Sequence, residues 1–222
     1  MQEKVDAWGK YLFVFLIVGL ASSGVSLLFS LVEAWNEPFY MEFVIDLDIA
    51  VGIFTSIAAI IATILFLGWI YRVHKEYKEI SSDYPVTPGG ALCRILIPFY
   101  NIVGLWTIYS NMSRFLIQYD TSVKKHGKRL RAFIPYYYFS HMIYSFLNRR
   151  LLMEEEYSIN LLLLTVGMEV IVSLSYIAMF VAITSGLKAV REHQQQLQLE
   201  QEAATAAEEA GAASGEESEA GV

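Results

Sequence analysis

Five apolar runs constrain this chain more than anything else in it. Residues 11–32, 49–71, 95–113 and 132–148 carry no Asp, Glu, Lys or Arg over 22, 23, 19 and 17 positions. A fifth run, 157–187, is 31 residues long and holds one such residue, Glu169. A helix needs about 20 apolar residues to cross roughly 30 Å of hydrocarbon. Lipid cannot satisfy backbone amides, so runs of this kind are helical where they meet it. With 55% of the 222 residues apolar and 18% charged, too little polar face is left to solvate a soluble core. The first run extends to Val32, beyond the 7–15 residues of a cleaved signal peptide, and reads as an uncleaved anchor.

The count of Lys and Arg on each side decides how many runs cross. Five crossings give each side eight basic residues. If 95–113 does not cross, fourteen fall on one side and only Arg149 and Arg150 on the other. The unequal split predicts four spans with both termini cytoplasmic, and leaves 33–48 outside with five acids and no base. The segment 95–113 is then re-entrant or interfacial. Pro88, Gly89 and Gly90 turn the chain ahead of it, Pro98 breaks its helix ladder, and Asn101 and Gly104 follow. The expected fold is thus all-α and integral to the membrane: four transmembrane helices, one re-entrant or interfacial broken helix at about 88–117, and an acidic tail.

Aromatic residues mark the span boundaries: Tyr11 opens the first, Trp69 and Tyr71 close the second, and Tyr136, Tyr137 and Tyr138 open the third. The third is short, about 25 Å by helical rise, and the fourth long, about 46 Å. Small residues (Gly19, Ser22, Ser23 and Ser26; Gly52, Ser56, Ala59 and Thr63) suit close packing of the first two spans, or else a dimer face. The net charge of −7 resides in the tail 189–222, where Arg191 stands against eight glutamates. Its first part, 189–210, is rich in helix formers, and disorder is expected from Gly211 onward. No basic surplus exists to hold a nucleic acid. The single cysteine, Cys93, excludes an intramolecular disulfide, and no cofactor or metal is expected.

Between Trp69 and Leu116 the chain reads Trp-Ile-Tyr-Arg-Val-His-Lys from Trp69, then Tyr84-Pro-Val-Thr-Pro-Gly-Gly-Ala, then Ile97-Pro-Phe-Tyr-Asn-Ile-Val. This resembles a widespread bacterial family of small multi-helix membrane proteins known only by a domain-of-unknown-function label. Its pattern is an aromatic-Tyr-Arg helix end, a Pro-Gly-x-Ala turn and an Ile-Pro-x-x-Asn segment. The resemblance implies four spans around this core, a bacterial inner-membrane location and no assigned activity.

Candidate sites are few. Glu169 and His141 are ionisable residues inside spans, which are costly there and often functional. A hairpin turning near residue 155 would set them at similar depth, able to share a proton. The alternative is a structural polar contact, with Glu169 bonded to a serine or a backbone carbonyl. Asn101, behind Pro98, either binds carbonyls freed by the proline or lines a cavity at a broken helix. Lys124, Lys125, Lys128, Arg129 and Arg131 precede the third span, where they signal topology and attract anionic lipid headgroups. His74 and His193 sit among polar residues and suggest no role. The expected function is that of a non-enzymatic polytopic membrane protein working through lipids, a membrane-protein partner or a second copy. The alternative is a small transporter or channel component using Glu169, His141 and Asn101. An intramembrane lipid-modifying enzyme ranks third, since only Glu169 supplies a buried carboxylate.

Overall fold

The computed structural model describes residues 2–153 and 158–219, with side chains at 5–97, 103–153 and 158–206. Every regular element among them is helical. Helix α1 spans Gln2–Trp35, and a single non-helical residue, Asn36, separates it from α2, Glu37–Phe39. The Asn36 side chain accepts from the Phe39 amide at 3.2 Å, and Pro38 sits in the first turn, so the chain re-enters a helix at once. A π-helical turn, Tyr40–Val44, leads into α3, Ile45–Ile80. The Tyr40 hydroxyl donates to Asp48 at 2.6 Å across that turn. The acidic segment 33–48 is therefore helical except at Asn36, with the short α2 and the π-helical turn joining α1 to α3.

Helix α3 ends at Ser81, and α4 covers Pro88–Leu96. Thr87 caps it by accepting from the Gly90 amide at 3.1 Å, with Pro88 at the first helical position. Ile97 is extended, as the residue before a proline prefers, and Pro98 opens α5, Pro98–Tyr119. The proline thus divides two helices rather than kinking one. Asp120 accepts from the Ser122 amide at 2.8 Å as α6, Thr121–Met153, begins. The last helix, α7, runs from Ile159 to Glu219. It passes Gly211, where disorder was expected, because a tail free of proline and rich in Ala and Glu can prolong a helix already nucleated in the body.

Ring contacts and hydrogen bonds give the packing directions. Asp6 meets Arg191 and Ser23 meets Glu169, so α1 and α7 are antiparallel. Phe66 meets Tyr176 and Glu76 meets Arg191, so α3 runs parallel to α7. Tyr137 packs on Tyr176, and Ser113 donates to the Gly127 carbonyl at 3.0 Å, which makes α6 antiparallel to both α7 and α5. Helix α4 lies against α3 and α5. At Gly104, a Cβ would come within 2.4 Å of the Arg94 carbonyl oxygen, so α5 approaches the α4 backbone as closely as only glycine permits.

One end of the bundle therefore collects the starts of α1, α4 and α6, the ends of α3 and α5, and the Arg191 turn of α7. The closest packing is there. Trp69, Tyr77, Tyr84, Tyr109, Met112, Leu116, Leu130 and Ile183 are all buried. Away from that end the helices carry broad exposed apolar faces. On α3, Ile53, Phe54, Ile57, Ile60 and Ile64 are each more than half exposed. Among the described residues, three helices are long and apolar enough to cross a membrane: Val5–Trp35, Glu37–Ile80 and Ile159–Ala206. Helix α6, which contains the expected span 132–148, is not among them. Its apolar stretch is short, diluted by Ser140, His141 and Asn148, and flanked by clustered bases.

Arg191 locks the tight end. Its guanidinium donates through Nε and Nη2 to both oxygens of Glu76, the second at 2.7 Å, and through Nη1 to Asp6 at 2.8 Å. One planar fork thus joins α7, α3 and α1, a geometry that an ammonium group cannot reproduce. The Arg191 and Glu76 side chains are only 11% and 10% exposed. Replacing Arg191 by Ala leaves Glu76 buried without its counter-charge, and is expected to cost about 3–5 kcal/mol. Arg191→Lys should retain part of that. Thermal unfolding of the purified protein in mild detergent measures both, and equal stability of the three proteins would show that the clamp is incidental.

Candidate functional site

Midway along the bundle, α1, α3, α6 and α7 enclose a cavity of about 390 Å³. Its apolar wall includes Phe15, Leu16 and Val172, and its polar lining includes Ser23, Thr55, His141, Tyr144 and Glu169. The structure thus brings Glu169 and His141 to one chamber. It does not join them by a hydrogen bond. The Glu169 carboxyl accepts from the Ser23 hydroxyl of α1 at 2.8 Å, while the His141 ring stacks on Tyr137 of its own helix, centroids 5.8 Å apart.

The register of the α6–α7 hairpin explains the difference. Tyr137 meets Tyr176, so His141, one turn further on, comes level with Val172 and Ser173. Glu169 is about a turn away, and α1 presents a hydroxyl there instead. Thr55 and Thr63 turn their hydroxyls onto the carbonyls of Val51 and Ala59 one turn back in α3, which satisfies them within their own helix. A chamber with one carboxyl, one imidazole and several hydroxyls can hold water or a small polar group. The side chain of Asn101 lies outside the described residues. Lys124, Lys125, Lys128, Arg129 and Arg131 are all exposed on the first three turns of α6.

Two histidines that the sequence left without a role occupy defined places at the tight end. His74 is fully buried, three residues beyond the apolar run that closes at Tyr71. Its Nδ1 lies 2.8 Å from the Tyr84 hydroxyl. Burial pushes the Tyr84 phenol well above its ordinary range, so that group stays protonated, and one hydrogen bond joins it to the imidazole, its direction set by the ring tautomer. Tyr84 also packs on Tyr77 and edge-on against Phe115, which ties the 81–87 connection to α3 and α5. The Tyr-Arg-Val-His segment and the Tyr84-Pro turn thus meet as one aromatic cluster. Sequence spacing could not reveal this, since the two pieces come together only when the connection folds back. His193 packs edge-on against Tyr119, centroids 5.9 Å apart, and borders a second cavity, of about 380 Å³, between α6 and α7. Among the described residues, no three His, Cys, Asp or Glu side chains come together to hold a metal ion.

A helical bundle with three helices long and apolar enough to cross a membrane, exposed apolar faces and one charge-clamped end has the build of a membrane protein. The chain belongs to the family defined by the domain of unknown function DUF4328, which matches residues 36–192. That match runs from the Asn36 cap to Glu192, the residue after the Arg191 clamp, and agrees with the resemblance to an uncharacterised family. No curated protein and no solved structure matches the chain.

The Ser23–Glu169 contact is testable by a double-mutant cycle. Ser23→Ala leaves a carboxyl without its donor and is expected to cost about 1–3 kcal/mol. Glu169→Gln should cost less, because the amide oxygen still accepts from Ser23. Glu169→Leu in the Ser23→Ala background should recover most of the loss, since no polar group then needs a partner. Unfolding midpoints in detergent of wild type, Ser23→Ala, Glu169→Leu and the double variant supply the four corners of the cycle, and strict additivity would mean the two side chains are energetically independent.

Proposed function

We propose that the chain is a four-span inner-membrane protein, with both termini cytoplasmic, which works without catalysis through lipid or protein partners in the bilayer. The observation that carries this reading is the common end of the bundle. The beginning of α1, the end of α3 and the Arg191 turn of α7 meet there, as expected if α1 leaves the cytoplasm and α3 and α7 return to it. The basic first turns of α6 lie at the same end, in accord with the fourteen-to-two distribution of Lys and Arg. Helices α4 and α5 form a hairpin whose two ends both reach this end, with Phe115 of α5 touching both Tyr77 and Tyr84. A hairpin that enters and returns on one side accounts for 95–113 without a further crossing. Helix α6 then serves as the third span, shielded by its neighbours from needing a fully apolar surface.

Topology can be read by thiol labelling in intact cells. Cys93 is exposed and must first be replaced by Ser. A cysteine at Asn36 should react with a membrane-impermeant reagent, while cysteines at Lys78 or His126 should be spared until the cells are opened. Labelling of His126 from outside would mean that 95–113 crosses and the arrangement has five spans.

The outer face of α3 supports action through partners. That helix meets α7 through Phe66, Trp69 and Glu76 and α5 through Tyr77, which leaves its Ile53, Phe54, Ile57, Ile60 and Ile64 face to lipid or to another chain. The polar chamber favours a second reading, a small transporter or channel component using Glu169 and His141. Reconstitution into vesicles separates the two. Partner action predicts no solute or proton flux above empty vesicles; flux that Glu169→Gln abolishes would establish the transport reading.

A further inference from the structure

The cavity beside His193 has a definite chemistry. It opens between the first turns of α6 and the last membrane-proximal turns of α7, and its polar lining includes Ser122, Lys125, His126, Lys188, His193 and Glu192. All of these except Glu192 can donate a hydrogen bond. Lys125 of α6 and Lys188 of α7 line it, and Arg129 stands close to His126. Two carboxylates oppose them, Glu192 and Asp120. Glu192 faces Lys188 at 3.7 Å with both side chains largely exposed, a contact weak enough to exchange. Asp120 is committed to capping α6, through the Ser122 amide. The local balance is positive in a chain whose net charge is −7.

The floor of the cavity is rigid. Gly186 lies against Leu116 and the base of His126, where a Cβ would come within 2.7 Å of the leucine, so α7 is held close to α5 and α6 beneath the basic side chains. His193 is oriented by its edge-on contact with Tyr119. Burial, with the adjacent Lys125 and Arg129, lowers the His126 pKa, so at neutral pH the ring is uncharged and offers an arriving anion a hydrogen bond beside the lysine charge.

The position of the cavity narrows the ligand further. Lys188 directly follows the apolar run 157–187, and Lys125 lies seven residues before the run that opens at Ala132. The cavity therefore spans the headgroup level of the bilayer and the first ångströms above it. A phosphodiester suits the donors: two non-bridging oxygens share a full negative charge, and lysine and imidazole groups reach them from two helices.

We propose that this cavity binds the phosphate of an anionic phospholipid headgroup, with Lys125, His126, Lys188 and His193 as its ligands. The proposal rests on the topology above, which puts this end at the cytoplasmic leaflet, and it deepens the partner reading by naming the lipid class and the site.

The test uses the full-length protein in neutral detergent, titrated with short-chain phosphatidylglycerol and short-chain phosphatidylcholine, and followed by native mass spectrometry. Inorganic phosphate is added as competitor. Wild type should retain phosphatidylglycerol in preference to phosphatidylcholine. Lys125→Ala with Lys188→Ala should weaken that retention about tenfold, and Lys124→Ala with Lys128→Ala, which removes equal charge outside the cavity, less than about twofold. His126→Gln with His193→Gln should also weaken it while leaving the thermal midpoint near that of wild type. Equal losses in the two lysine pairs would reduce the effect to diffuse surface charge and overturn the site. Displacement of the lipid by inorganic phosphate at like concentration would overturn the lipid assignment in favour of a soluble phosphate compound. No preference between the two lipids by folded wild type would overturn it outright. The thiol-labelling result decides the topology separately, so a site that binds in detergent but faces outward in cells would be recognised as a failure of the topology alone.

Discussion

The fork of Arg191 between Glu76 and Asp6 is the interaction on which the arrangement of the long helices depends. Helices in lipid gain nothing from burying apolar surface against one another, because the tails are as apolar as the side chains. Packing in the exposed part of this bundle is correspondingly light, and α3 is the clearest case. The three long helices are fixed instead where they leave the apolar zone, by charge-assisted hydrogen bonds and an aromatic core. Trp69 packs on Phe180 with centroids 4.8 Å apart, and Arg72 lies over the Trp8 ring at 4.7 Å. These contacts form a collar just below the clamp.

Once that collar is set, the α4–α5 hairpin has one place to go. Its entry is held by the Tyr84–His74 hydrogen bond and its exit by Phe115 and Tyr119 against Tyr77 and His193. Close approach at Gly104 fuses α4 to α5, and the Ser113–Gly127 contact fuses α5 to α6. Glycine at these two crossings lets the backbones meet at distances a side chain would forbid. The chamber around Glu169 is what remains where α1, α3, α6 and α7 diverge away from the collar.

Particular residues show what could be read in advance. The apolar runs, their lengths and the asymmetry of Lys and Arg are properties of composition along the chain, and they located the helices, the break at Pro98 and the basic start of α6. The helical make-up of the acidic connection 33–48 was not legible, because its acids mask a helical preference that Asn36 interrupts. Glu169 was marked as an intramembrane polar residue. Its partner Ser23 was noted only as a small residue, and the two are 146 positions apart in the chain. His74 was passed over because it stands among Lys and Glu in the sequence, a setting that describes a solvated helix end until the Tyr84 turn folds across it.

The sequence by itself determined that this chain is helical and belongs in a membrane, because hydrocarbon imposes length, hydropathy and backbone hydrogen bonding on each segment independently. It also determined the sign of the charge near each helix end. Only the tertiary structure decided which side chains share a cavity, since helix register depends on packing between segments distant in the chain. A shift of one turn in the α6–α7 hairpin gave Glu169 to Ser23 rather than to His141. The same register placed Lys188 and His193 opposite Lys125 and His126, so that four residues with no common signature in the sequence line one pocket.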